Sequence, residues 1–137
     1  MKRDDIWLKE KLDNIWELLF PEVVKANEIH VKFRGKGKYR FGCIKLKGED
    51  SFIEINSLFK NEIVPEYVID TTLAHELVHY MHGFSSPLPK KYRHPHKGGI
   101  VDKELIKKGF GDNLKMEKTW AKKDWEKVFK ILNDRKV

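Results

Sequence analysis

Two histidines and a glutamate stand together in the pentapeptide His75-Glu76-Leu77-Val78-His79. Imidazole is the commonest metal ligand among side chains, and a carboxylate can serve as a general base. On a helix, residues four apart lie on one face, one turn above the other, so both imidazoles can reach a single ion. Glu76 then points near that ion without having to bind it. H-E-x-x-H is one of the few short patterns that carries its own mechanism. The bland alternative is a surface helix that holds histidines by accident.

The flanking residues predict the helix that the pattern needs. Pro65 suits a first helical position, where a missing N–H costs nothing. Glu66 and Asp70 put negative charge in the early turns, near the positive end of the helix dipole. Val68, Leu73, Leu77, Val78 and Met81 recur at helical spacing and should face a core, and Gly83 is a natural stop.

Two imidazoles do not complete a catalytic zinc site, which normally uses three protein ligands and keeps a fourth position for water. His82 sits on the same helix but points elsewhere, so it reads as an exposed or supporting residue. His94 and His96 follow an irregular prolyl loop from which the chain can turn back over the ion. His96 directly precedes the next expected helix, a rigid place from which to present a ring. Asp102 and Glu104, on that helix, are carboxylate alternatives. The extended metzincin pattern is absent, because His82 and Ser85 stand where it needs Gly and His.

The elements that must position these groups can be read along the chain. Asp4 or Asp5 should cap a first helix whose apolar stripe is Ile6, Leu8, Leu12, Ile15, Trp16, Leu19 and Phe20, ended by Pro21. One further helical turn is expected over 22–27. Ile29, Val31 and Phe33 alternate with polar residues as a strand. Gly35-Lys36-Gly37 is turn chemistry, and a second strand is expected over 38–47. Its apolar phase shifts after Phe41, which predicts a bulge near Gly42. A third strand is expected over 51–56, making an antiparallel three-stranded meander. After the motif helix and the loop come a helix over 98–108, an uncertain stretch over 111–119 read as extended, and a last helix over 120–133. His30 reads as a surface residue of the first strand and Cys43 as a small buried side chain.

The length of 137 residues fits a single domain, 1–137, able to bury a real core. No apolar run is long enough to span a membrane, so no membrane partner is expected. The N-terminal residues lack the apolar region of a signal peptide, and one cysteine permits no internal disulfide; a reducing cytoplasm is the expected compartment. The net charge of +7 favours polyanions, although a solvated basic surface would account for it equally. Lys32, Arg34, Lys36, Lys38 and Arg40 cluster without an acid among them, with Tyr39 and Phe41 interleaved. Arg34, Lys36, Lys38 and Arg40 are therefore candidate nucleic-acid contacts; single strands would be favoured if the aromatics are exposed.

The chain resembles the SprT-like family of zinc metallopeptidases. The resemblance runs over about 29–109 and rests on the H-E-x-x-H helix, the variable loop, and a second helix opened by histidine. Pro95-His96-Lys97-Gly98-Gly99-Ile100 keeps the family's Pro-His and an apolar residue four after the His. It departs at Lys97, where Gly is usual, and at Ile100, where an aromatic is usual. Ile53-Glu54-Ile55-Asn56 resembles the strand ending that precedes the family's metal helix. The resemblance implies a zincin-like α+β fold: an N-terminal helix, a three-stranded antiparallel sheet, the H-E-x-x-H active-site helix, and backing and C-terminal helices. It also implies one Zn2+ ion on His75, His79 and His96, and peptide-bond hydrolysis with Glu76 as general base. Protein or peptide would be the substrate, with DNA-associated proteins in view because family members commonly act on them. An edge strand over 51–56 is expected to pair with substrate, and Tyr92 and Arg93 are loop candidates for stabilising the oxyanion. A gluzincin-type site with a carboxylate ligand, a non-catalytic metal-containing nucleic-acid-binding module, and a hydrolase of non-peptide substrates are the alternatives.

Overall fold

A computed structural model describes residues 2–134. Helix α1, Asp5–Leu19, begins where the Asp4 carboxylate accepts a hydrogen bond from the Trp7 amide at 2.8 Å. It buries Leu8, Leu12, Ile15, Trp16 and Leu19, and Pro21 stops it. Residues 22–27 form turns and irregular chain, not the expected extra helical turn. The Tyr80 hydroxyl holds this segment instead, accepting from the Ala26 amide at 2.9 Å and donating to the Asn27 side chain at 2.7 Å.

The three strands are β1 (Ile29–Phe33), β2 (Gly42–Lys47) and β3 (Asp50–Ile55). They do not form the expected antiparallel meander. The sheet is mixed, in the order β1-β3-β2, with β1 parallel to β3 and β2 antiparallel to β3. A tight turn through Gly48, at φ +64°, makes β2 and β3 a hairpin. The chain between β1 and β2 passes over the end of β3 instead of turning back beside β1. There the Asn56 side chain donates to the carbonyls of Gly37 at 2.7 Å and Arg40 at 2.9 Å, while its amide donates to Phe41 at 2.8 Å. Burial favours the same order, since Ile53 and Ile55 of β3 are fully enclosed in the middle of the sheet. The second strand starts at Gly42, so Tyr39 and Phe41 lie outside it and their phase shift needs no bulge. The strand with an unpaired edge beside the motif helix is β2; β3, expected to be that edge, is central.

Helix α2, Glu66–Met81, packs against α1, β2 and β3 and is buried over most of its length. The hydroxyls of Thr71 and Thr72 each donate at 2.7 Å to the carbonyl one turn back, which lets these polar residues sit inside. A 3-10 turn, Lys97–Gly99, leads into α3, Ile100–Lys107. Residues 111–119 are not extended: α4 runs over Gly111–Lys123 and α5 over Trp125–Asp134. The break at Asp124 lets Trp120 and Trp125 both enter an aromatic cluster with Phe41 and Phe59. The Trp125 indole also donates to the Lys38 carbonyl at 2.7 Å, tying α5 to the crossover. The fold is thus α+β, with five helices and a three-stranded mixed sheet. Among the described residues no helix is long and apolar enough to cross a membrane.

Candidate metal centre

The helical repeat brings His75 and His79 together, with their Nε2 atoms 3.1 Å apart. The His96 ring comes from outside the helix, with its centroid 4.6 Å from that of His79 and 5.6 Å from that of His75. One ring nitrogen from each of the three lies within 4.8 Å of the others. Two imidazoles bound tetrahedrally at 2.0–2.1 Å stand about 3.3 Å apart, so the His75–His79 spacing suits a zinc ion. The group is graded outward: His79 is buried, His75 half-buried and His96 exposed.

The protonation states fit as well. Burial, with the neighbouring rings adding to it, lowers the pKa of His75 to about 4 and that of His79 to about 3. Both rings are therefore neutral at pH 7, which is the form that offers a lone pair to a cation. The buried Nδ1 of His79 has no hydrogen-bond partner among the described residues. That nitrogen carries the proton when Nε2 faces the shared point.

The route of the loop explains how His96 arrives. Gly83 takes φ +83°, and a Cβ there would meet the Pro89 carbonyl oxygen at 2.4 Å, so the loop folds back directly over the end of α2. Ser51 Oγ donates to the Ser85 carbonyl at 2.6 Å, Ser86 Oγ to that of Tyr80 at 2.8 Å, and the Lys91 amide to that of His82 at 2.9 Å. His82 is 1% exposed beneath this loop, its ring 4.8 Å from that of Tyr92 and its Nε2 3.9 Å from the Glu104 carboxylate. It is a buried support, not a ligand. Cys43 is half-buried in a cleft wall, and His30 pairs with Asp50 at 3.0 Å, away from the site.

Of the other donors, His94 is exposed and outside the group. Asp102 is engaged by Lys118 at 2.5 Å, and Glu104 faces His82. Glu76 is 5% exposed, and desolvation raises its pKa to about 8 against the opposing field of Arg40. A cleft of about 810 Å³, walled by α2, α4 and the crossover, opens on one side of His75 and Glu76, and one of about 410 Å³ opens on the other. Gly42 lets β2 come close to α2 here, since a Cβ would meet the Thr72 methyl at 2.7 Å.

The four basic candidates all lie in the crossover between β1 and β2. Arg34 pairs with Glu54 at 3.5 Å and Lys38 with Glu126 at 3.6 Å. Lys36 is exposed, and Arg40 lines both clefts. Tyr39 is 92% exposed, whereas Phe41 packs into the aromatic cluster. The wall contributed by α4, with Leu114, Glu117 and Ala121, was missed in the sequence because Gly111 and Asn113 mask its apolar spacing. Comparison of the chain with family models, curated proteins and solved structures finds no match.

Proposed function

We propose that this protein is a zinc-dependent metallopeptidase of the SprT-like kind on a zincin-like scaffold. The observation that carries the reading is the convergence of His75, His79 and His96 beside the buried Glu76, where two clefts meet. A zinc ion held by the three imidazoles supplies Lewis acidity, which makes water acidic near neutral pH and polarises a carbonyl. Glu76 takes a proton from the attacking water on its carboxylate and hands it to the leaving nitrogen. Without the ion, burial holds Glu76 above the usual carboxylate range; the cation beside it would favour the ionised form that accepts the proton. An extended peptide can add to the outer edge of β2 at Gly42, beside the site; further along, the Ile44 carbonyl already accepts from Ser85 Oγ at 3.3 Å.

The engagement of Asp102 with Lys118 and of Glu104 with His82 favours His96 over a carboxylate third ligand. A purely structural metal has no use for a buried base beside it, which argues against the non-catalytic module. The test is zinc content together with hydrolysis of an unstructured protein substrate. Wild type should hold one zinc per chain, and Glu76→Gln should keep it while losing at least about a hundredfold in rate, as expected for removal of a general base. Unchanged hydrolysis in Glu76→Gln would refute the assignment.

A second reading extends the first to DNA-associated substrates, with DNA along the crossover at Arg34, Lys36, Lys38 and Arg40 and single strands favoured. The exposed Tyr39 ring supports it, since an aromatic face beside cations suits a stacked base.

A further inference from the structure

Four residues line both clefts: Arg40, Gly42, His75 and Glu76. A peptide lying through the two clefts crosses the site over these four, with the bond to be cut between them. His75 and Glu76 already have roles, and Gly42 offers only backbone. Arg40 is the remaining side chain. It is exposed where the two clefts meet, and it forms no ion pair and no side-chain hydrogen bond with any described residue. Its backbone is nevertheless held, because Asn56, 3% exposed, donates to the Arg40 carbonyl at 2.9 Å. Lys118 and Lys122 line only the larger cleft, and Lys118 is engaged by Asp102. Tyr92 and Arg93, the loop candidates from the sequence, line neither.

We propose that Arg40 is a catalytic residue that donates hydrogen bonds to the scissile carbonyl oxygen as negative charge builds on it. The inference rests on the peptidase reading above. In that reaction the water oxygen bonds to the carbonyl carbon and the carbon–nitrogen bond breaks. The proton lost by water passes through Glu76 to the leaving nitrogen. Arg40 only donates hydrogen bonds and gives up no proton. Its contribution is a cationic hydrogen-bond donor beside the carbonyl oxygen as charge develops there.

The test uses the zinc-loaded protein and compares wild type, Arg40→Ala, Arg40→Lys and Glu76→Gln on one fluorogenic peptide. Arg40→Ala should lower kcat by about a hundredfold, the loss typical of one oxyanion donor, with KM little changed. Arg40→Lys should recover part of it. A phosphinic peptide, which mimics the tetrahedral oxyanion, should bind Arg40→Ala about a hundredfold more weakly than wild type. The matching uncleaved amide peptide should bind Glu76→Gln equally well with and without Arg40→Ala. Zinc content and circular dichroism should match wild type throughout. If wild type cleaves, Glu76→Gln does not, and Arg40→Ala keeps its kcat, the Arg40 assignment is overturned and the peptidase reading stands. Equal loss of amide and phosphinic binding would make Arg40 a general substrate anchor and also overturn it. A zinc-loaded wild type that neither cleaves peptides nor binds the phosphinate overturns both.

Discussion

Asn56, just after β3, donates a hydrogen bond to the carbonyl of Arg40 at 2.9 Å, joining the central strand to the crossover segment that lines both clefts. The same side chain donates to Gly37 and accepts from the Leu58 amide at 2.9 Å. Asn56→Ala leaves the buried Leu58 amide and the part-buried Gly37 and Arg40 carbonyls without these partners. It should cost about 2–4 kcal/mol in urea unfolding, several times the net worth of one hydrogen bond. An unchanged unfolding midpoint would mean that the crossover stands without Asn56.

His96 and His94 are separated by one proline, yet only His96 joins the ring cluster. His75→Ala and His96→Ala should each weaken zinc binding by more than the about 10–100-fold that loss of a supporting partner costs. His94→Ala and Asp102→Ala should bind as wild type does. Competition with a chromogenic chelator measures all four. Full affinity in His96→Ala with loss in Asp102→Ala would transfer the third position to the carboxylate.

Gly83 is the point on which the loop carrying His96 folds back. Alanine there is strained at φ +83° and presses on the Pro89 carbonyl. Gly83→Ala should lose about 1–3 kcal/mol of stability from backbone strain alone. Zinc affinity should fall as well, since the loop must shift. Thermal unfolding and chelator competition on the same sample would show whether the two losses travel together.

The metal-free protein should become less stable as pH falls below 6.5. His75 and His79 are lowered to about 4 and about 3 by burial, and His82 is lowered as well. Between pH 6.5 and 4 the unfolded chain binds protons on these rings and the folded chain does not, so stability rises with pH across that window. Two such rings contribute a slope approaching about 2.7 kcal/mol per pH unit, about half of which Glu76, raised to about 8, offsets above pH 4.5, because there the folded chain keeps a proton the unfolded chain has lost. Urea titrations of metal-free wild type and His79→Ala should show a shallower dependence in the variant. Parallel curves would mean that the rings are not buried as described.

DNA binding along the crossover should weaken steeply with salt and depend little on sequence. Lys36→Ala with Arg40→Ala should flatten the salt dependence, and Tyr39→Ala should reduce the preference for single strands. Fluorescence anisotropy across a salt series measures this. Absence of binding at low salt would leave Tyr39 and Lys36 as solvated surface.

The amino-acid sequence by itself determined the local part of this site. His75, Glu76 and His79 lie within five residues of one helix, and the apolar spacing and flanking Pro65 and Gly83 that specify the helix are equally local. The caps of α1 and the alternation of β1 were legible for the same reason: each is a short-range preference of the backbone. What the tertiary structure decided depends on distant pairings. The order β1-β3-β2 follows from Asn56 holding the crossover and from Ile53 and Ile55 occupying the middle of the sheet, and alternation along a strand carries no information about which neighbour it takes. The choice of His96 over His94 follows from a loop folded onto Gly83, and the position of Arg40 from a crossover that a strand pattern concealed. His82 shows the division most simply. Helical spacing alone sets it off the His75–His79 face, but only the packing of Tyr92 and Glu104 against it makes it a buried support.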